Sequence, residues 1–251
     1  MSSPTLSDRM ARSHPSWSFA KYAMWESFLD RSIRLLRSVE IEIADPATIG
    51  TFTSRDGWWL KRQQKVKGGA VRIPSEDAMT DAIEEIAERL LKASRPADPA
   101  QEHLAVHTQS KRPPHRRIGP KALKNDIRIR STVTDELDLR IEAKPLWSKA
   151  QLKGTYLGSK GMLRFVDAAH PYTDRPLGMM LGYALRDLTP DWKTQTRLGL
   201  ATVSQASNIE DITSAEESIP ACDMTWGSAP HQKVCVVHVI MNFETEPASR
   251  P

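Results

Sequence analysis

Cysteine is scarce in this chain: Cys222 and Cys235 are the only two among 251 residues. Two thiols do not make a disulfide framework, so a reducing compartment, the cytoplasm, is the expectation. Long apolar runs are missing as well. No stretch approaches the roughly 20 consecutive apolar residues of a membrane-spanning helix, and the first residues lack the continuous apolar segment of a secretory leader. A membrane is therefore not an expected partner. There is no phosphate-binding P-loop and no GxGxxG, which argues against nucleotide hydrolysis by the chain itself. No Gly-x-Ser-x-Gly turn presents a serine nucleophile. Cys222, His231, Cys235 and His238 follow one another at spacings of nine, four and three residues. That pattern lacks a CxxC knuckle, and its last two members fall in an apolar strand pattern, so zinc is not expected.

What is present fits a globular protein with one substantial core: 39% hydrophobic and 26% charged residues. The net charge of +4 is modest, and its distribution is more informative. Between positions 111 and 130 lie Lys111, Arg112, Arg116, Arg117, Lys121, Lys124, Arg128 and Arg130, with Asp126 as the one acid. Such clustering favours a polyanion, because each neutralised phosphate releases counterions. A solvated basic loop is the plainer reading of the same run.

Along the chain, residues 1–13 read as a disordered tail and residues 14–75 as an N-terminal helical and strand elaboration. Within it, Phe19, Tyr22, Trp25, Phe28, Leu29, Ile33 and Leu36 predict a helix from about Pro15 to Leu36. Alternation of Val39, Ile41 and Ile43 predicts a strand, as do Trp58, Trp59 and Leu60. Ser75 reads as the N-cap of a helix from Glu76 to about Lys92, with Met79, Ile83, Ile86 and Leu90 inward. Residues 94–121 read as a long basic, Pro-rich loop. Ser148 reads as the cap of a helix over 149–156, and residues 162–166 as a short strand or helix. The small residues Gly178, Gly182 and Ala184 suggest a close-packed helix over 176–187, and a second helix is expected over 192–205. Residues 207–227 read as irregular, and 234–243 as a buried strand. The main domain is expected over 76–245, with 246–251 a tail.

Two alternations carry the chemistry. Asp126, Arg128 and Arg130 oppose Ile127 and Ile129; Asp138, Arg140, Glu142 and Lys144 oppose Leu137, Leu139, Ile141 and Ala143. The short polar segment between them suits a hairpin connection. Paired so, the strands bring Asp126, Glu142 and Lys144 to where one divalent metal and one water would sit. Asp126 and Glu142 would supply carboxylates, Ala143 a backbone carbonyl, and Lys144 a cation for the nucleophilic water or the developing phosphorane charge. Asp138 shares the face of Glu142 but stands about 13 Å back along the strand. A self-paired hairpin, with Asp138 bound to Arg128 or Arg130, is the structural alternative.

The segment from about Glu76 to Tyr156 resembles the restriction-endonuclease-like PD-(D/E)XK nuclease superfamily. The motif is carried by Asn125-Asp126 and Glu142-Ala143-Lys144, with Asn125 where the superfamily usually has proline. The resemblance implies an α/β fold: a restriction-endonuclease-like core, with a central mixed β-sheet flanked by helices, plus the N-terminal helical elaboration. It also implies an upstream helix that often carries a Glu, for which Glu84, Glu85 and Glu88 are candidates that periodicity does not separate. Gln151 and Tyr156 are loosely similar to a Gln/Tyr helix of recombination-type members, and Lys149 and Lys153 would reach phosphate or face water. The implied activity is a Mg²⁺-dependent DNA endonuclease of prokaryotic defence or restriction, with Mn²⁺ substituting. It would act alone, as a homodimer or larger assembly, or with a partner protein of a defence system. A catalytically inactive DNA-binding or assembly subunit and a repair or recombination nuclease are the other readings.

Overall fold

In the first 53 residues, apolar side chains recur at helical spacing, and the chain forms three helices there. The computed structural model describes residues 5–60, 64–66, 69–94, 103–108, 126–167, 171–184, 191–204, 209–214, 223–229 and 232–243. Helix α1 (Leu6–Ser13) starts at a capping box between Thr5 and Asp8 and buries Leu6 and Met10. The expected disordered tail is thus an ordered helix from residue 6 onward. Helix α2 (Phe19–Ala44) is capped by Ser18 and buries Trp25, Phe28, Leu29, Ile33, Leu36, Val39 and Ile43. The strand expected over 39–43 is its last turn. Val39 and Ile43 stand four residues apart on the buried face, and Ile41 between them is 74% exposed. Helix α3 (Pro46–Thr53) follows directly, with Asp45 as N-cap and Pro46 in the first turn.

A small hairpin of β1 (Gln64–Val66) and β2 (Gly69–Val71) precedes helix α4 (Glu76–Ser94). Residues 58–60 form no strand of their own beyond an isolated bridge from Trp59 to Pro74. The Ser75 hydroxyl accepts the Ala78 N–H and caps α4 as the sequence indicated.

The remaining strands are β3 (Leu104–Thr108), β4 (Ile127–Ser131), β5 (Asp138–Leu146), β6 (Leu177–Ala184), β7 (Ile209–Ser214), β8 (Asp223–Ala229) and β9 (Gln232–Asn242). They build a seven-stranded mixed sheet in the order β3-β4-β5-β6-β9-β8-β7. Strands β3, β4 and β5 form an antiparallel meander, β5, β6 and β9 run parallel, and β8 and β7 return antiparallel. The fold is α/β, a mixed sheet flanked by helices. Helices α2 and α4 pack together on one face, over Leu139, Ile141, Met179, Leu181, Val237 and Val239. On the other face Leu152, Tyr156, Met162, Phe165, Trp192 and Leu200 cover Met180, Val234 and Val236. Their elements are a short turn α5 (Lys149–Gln151) running into a π-helical turn (Leu152–Tyr156), a 3₁₀ turn (Met162–Val166) and helix α6 (Trp192–Ser204). Ser148 caps α5 by accepting the Gln151 N–H.

Three expectations are corrected by this sheet. Residues 177–184 form the central strand β6, not a helix. Buried on both faces, it shows no polar alternation. Its glycines admit neighbours: a Cβ on Gly178 would lie 2.2 Å from the Phe165 ring, and one on Gly182 would meet Leu146 and Ile240. The stretch read as irregular, 207–227, contains β7 and most of β8. The long loop of 94–121 contains β3, which pairs with β4 from Leu104↔Ser131 to Thr108↔Ile127.

Candidate active site

Strand β5 carries four charged side chains inward on one face, and all four, Asp138, Arg140, Glu142 and Lys144, are buried. Burial of charge is costly unless partners answer it, so the arrangement of those partners defines the site. The hairpin register places Ile127 opposite Ile141, and Asp126, just before β4, falls beside Glu142 and Ala143. The Asp126 Oδ2 accepts the Ala143 N–H at 2.9 Å, and the Asp126 N–H donates to the Tyr172 hydroxyl at 3.2 Å.

Lys144 gathers three acids. Its Nζ lies 2.5 Å from Glu76 Oε1, 2.9 Å from Glu142 Oε1 and 3.4 Å from Asp126 Oδ2. Asp126 and Glu142 touch the same ammonium, so their oxygens are no further apart than those two contacts in line allow. Arg164, on the 3₁₀ turn, donates to Glu142 Oε1 at 2.9 Å. Its guanidinium lies over the Tyr172 ring at 4.8 Å, and its carbonyl accepts the Tyr172 N–H. The Glu142 Oε2 is buried without any hydrogen-bond partner.

The electrostatics follow from this crowding. Burial, reinforced by the Asp126 carboxylate, pushes the Glu142 carboxyl up to about 8. Burial also raises Glu76, against the pull of Lys144. Burial alone would lower Lys144, but Asp126, Glu142 and Glu76 outweigh it and hold the ammonium above its ordinary range. Three carboxyl groups share two cations here. The donors are hard oxygens, the set that suits Mg²⁺. Among the described residues no group of three or more His, Cys, Asp and Glu side chains is arranged as a ready metal-ligand set; the ammonium of Lys144 stands among the acids.

Asp126, Glu142 and Lys144 are therefore brought together, and Ala143 joins them through its backbone N–H, its side chain buried on the helical face of the sheet. The helix residue that reaches Lys144 is Glu76, which was not among the candidates from the sequence. None of the three candidates reaches Lys144. Glu84 accepts the Thr108 N–H and hydroxyl, Glu85 pairs with Arg55, and Glu88 lies 3.6 Å from Lys92. The signal for Glu76 was its place in the first helical turn, where a helix end can aim an acid past the sheet edge.

Gln151 lies at the end of α5, half-buried. The Tyr156 hydroxyl is inside the core, donating to the Met180 carbonyl at 3.1 Å with His238 Nδ1 at 3.3 Å. His238 Nε2 meets the Thr225 hydroxyl at 2.9 Å, and burial lowers its pKa to about 3, leaving it neutral. Cys235 faces the opposite side of β9, in the core under α2 and α4, so it and His238 do not share a zinc. Cys222 and His231 fall outside the described residues, as do Lys111, Arg112, Arg116, Arg117, Lys121, Lys124 and Asn125. Lys149 and Lys153 are exposed. Arg128 binds Asp138 through two contacts, of 2.8 and 3.1 Å, the pair foreseen in the structural alternative.

Comparison of the chain with protein-family models, with characterised proteins and with solved structures finds no match.

Proposed function

We propose that this chain is a Mg²⁺-dependent nuclease with a restriction-endonuclease-like core, hydrolysing phosphodiester bonds in DNA. The observation that carries the reading is Glu142: a buried carboxyl group held through one oxygen by Lys144 and Arg164, with its second oxygen partnerless. A buried, unsatisfied oxygen in an acid-rich site is a group awaiting a cation. The order of parts supports the same core: a helix with its Glu, a strand preceded by its acid, and a strand bearing Glu-x-Lys.

Asp126, Glu142 and Glu76 are the residues that would hold Mg²⁺, and Mn²⁺ would substitute. Bound there, the cation supplies polarisation of a phosphoryl oxygen and a water of lowered pKa. The protein's own share is positioning and charge. The Ala143 N–H and the Tyr172 hydroxyl fix the Asp126 carboxylate and backbone, and Arg164 fixes Glu142. Lys144, kept protonated by its three acids, offers positive charge to the negative charge that develops on the phosphate oxygens. Defence or restriction remains the proposed setting, with a cytoplasmic location and with a second copy or a partner protein as company.

One observation favours a second reading, a DNA-binding or assembly subunit without chemistry: Lys144 and Arg164 already occupy the acids, and no ready metal-ligand set exists among the described residues. Incubation of supercoiled plasmid and linear DNA in Mg²⁺ and in EDTA separates the two. Nicked or shortened products in Mg²⁺ alone support the nuclease; DNA retained but intact in both supports the binding subunit.

A further inference from the structure

Two cations stand at the acids, and they are held in different ways. Lys144 is enclosed: its side chain is 8% exposed, and three carboxyl groups surround its ammonium. Arg164 has a path outward, with a side chain 29% exposed. Among the described residues, Glu142 Oε1 is the one acceptor its guanidinium meets, through a single Nη1–H at 2.9 Å. A guanidinium carries five N–H donors, so the rest of the fork is left over. The Tyr172 ring holds the cation at 4.8 Å, a contact that uses its charge and takes no hydrogen-bond acceptor.

The base of this side chain is firmly placed. The Arg164 N–H donates to the Gly161 carbonyl at 3.0 Å, and its own carbonyl accepts the Tyr172 N–H at 2.8 Å. Gly161 admits no side chain, since a Cβ there would strike the Tyr156 carbonyl. Tyr172 is buried, and its hydroxyl accepts the Asp126 N–H. The plate that carries the guanidinium is thus tied to one acid, while the guanidinium leans on another. A counter-ion for Glu142 is the plain reading of Arg164, and the geometry fits it poorly. An arginine that neutralises a carboxylate frequently takes both oxygens with two parallel N–H bonds. Arg164 takes one oxygen, which Lys144 already serves at 2.9 Å, and Oε2 stays without a partner. The contact orients the guanidinium more than it satisfies Glu142.

We propose that Arg164 is a phosphate-binding residue of this site, its guanidinium seated on Tyr172 and steadied by Glu142 so that its remaining donors meet the non-bridging oxygens of the phosphodiester at the acids. The ligand is the backbone of a nucleic acid, and the assignment rests on the nuclease reading. A phosphodiester carries one negative charge, which spreads over its non-bridging oxygens in the transition state of hydrolysis. The planar fork of a guanidinium matches a pair of such oxygens. Lys144 supplies charge from within the acids; Arg164 adds a fork that reaches outward from them. A neutral side chain could replace the one hydrogen bond to Glu142, but neither the charge nor the fork.

The test compares wild type, Arg164→Gln and Arg164→Lys, each with its urea unfolding midpoint. Three quantities are read: plasmid cleavage over a range of Mg²⁺, Mn²⁺ affinity by electron paramagnetic resonance, and anisotropy of a short fluorescent duplex in Ca²⁺ over a salt series. Arg164→Gln should slow cleavage by about 100-fold or more at saturating Mg²⁺ and bind Mn²⁺ no more weakly than wild type. Its slope of log affinity against log salt should fall by about one. Arg164→Lys keeps the charge and loses the fork, so it should retain the slope and recover only part of the rate. A folded Arg164→Gln that cleaves like wild type overturns the phosphate contact and leaves the nuclease standing. So does a loss that tracks weaker Mn²⁺ binding and is restored by more Mg²⁺, since Arg164 would then act only through Glu142. If Arg164→Gln is unfolded, Arg164→Lys decides, and an unchanged cleavage rate there overturns the contact. A wild type inert in Mg²⁺ removes the nuclease reading, and the salt slope then decides alone. A lower slope in Arg164→Gln upholds the phosphate contact; an equal slope, or a wild type that does not bind DNA, overturns it.

Discussion

Glu76, the first residue of α4, reaches Lys144 near the end of β5 at 2.5 Å, joining positions 68 residues apart. The contact ties the helix over one face of the sheet to the charged strand of the other. It also supplies the third acid of the site, so Glu76→Gln should lower Mg²⁺-dependent cleavage by about 10–100-fold, the usual cost of losing a group that orients a metal site. Glu84→Gln, Glu85→Gln and Glu88→Gln should leave the rate unchanged. Steady-state cleavage rates for the four variants check this, and a strong effect at Glu84, Glu85 or Glu88 with none at Glu76 would refute it.

The alternations of β4 and β5 were legible because half of each strand's residues repeat with period two, and Asp126, Glu142 and Lys144 followed from that register. Glu76 was not legible, since periodicity ranks helix residues by face, whereas Glu76 acts from the helix end. β6 escaped for another reason: a strand buried on both faces has no alternation, and Gly178 and Gly182 suggested helix packing when they in fact admit Phe165, Leu146 and Ile240. The strand reading of 39–43 failed because two of its three apolar residues also satisfy helical spacing.

The elevated carboxyl of Glu142 has a consequence for stability. Its pKa is about 8 in the folded chain against an ordinary 4.5, so between those values the folded state holds a proton that the unfolded state has released. Stability without metal is fully present below about pH 4.5 and declines as pH rises through about 8. Glu76, also raised, acts in the same direction. Urea unfolding in EDTA across this window should show the decline in wild type and a flatter profile for Glu142→Gln. An equally steep profile in the variant would contradict the assignment.

Asp138 is the shared partner of Arg128 and Arg140 in a nearly closed environment. Asp138→Ala removes the carboxylate and leaves their charges facing one another, at a cost of about 3–5 kcal/mol. Chemical denaturation measures it; a change below about 1 kcal/mol would mean that the arginines do not depend on Asp138.

Gly178 tests the central strand. In Gly178→Ala the new Cβ would meet the Phe165 ring at 2.2 and 2.5 Å, and Phe165 is fully buried. Overpacking of this kind costs about 1–3 kcal/mol. A thermal unfolding midpoint equal to wild type would argue against this packing of β6 under the 3₁₀ turn.

The most direct test of the central claim is DNA cleavage by wild type, Glu142→Ala and Lys144→Ala, side by side in Mg²⁺ and in EDTA. Wild type should cleave in Mg²⁺ and not in EDTA, and each variant should be slower by about 100-fold or more while remaining folded. Undiminished cleavage by both variants would contradict the site.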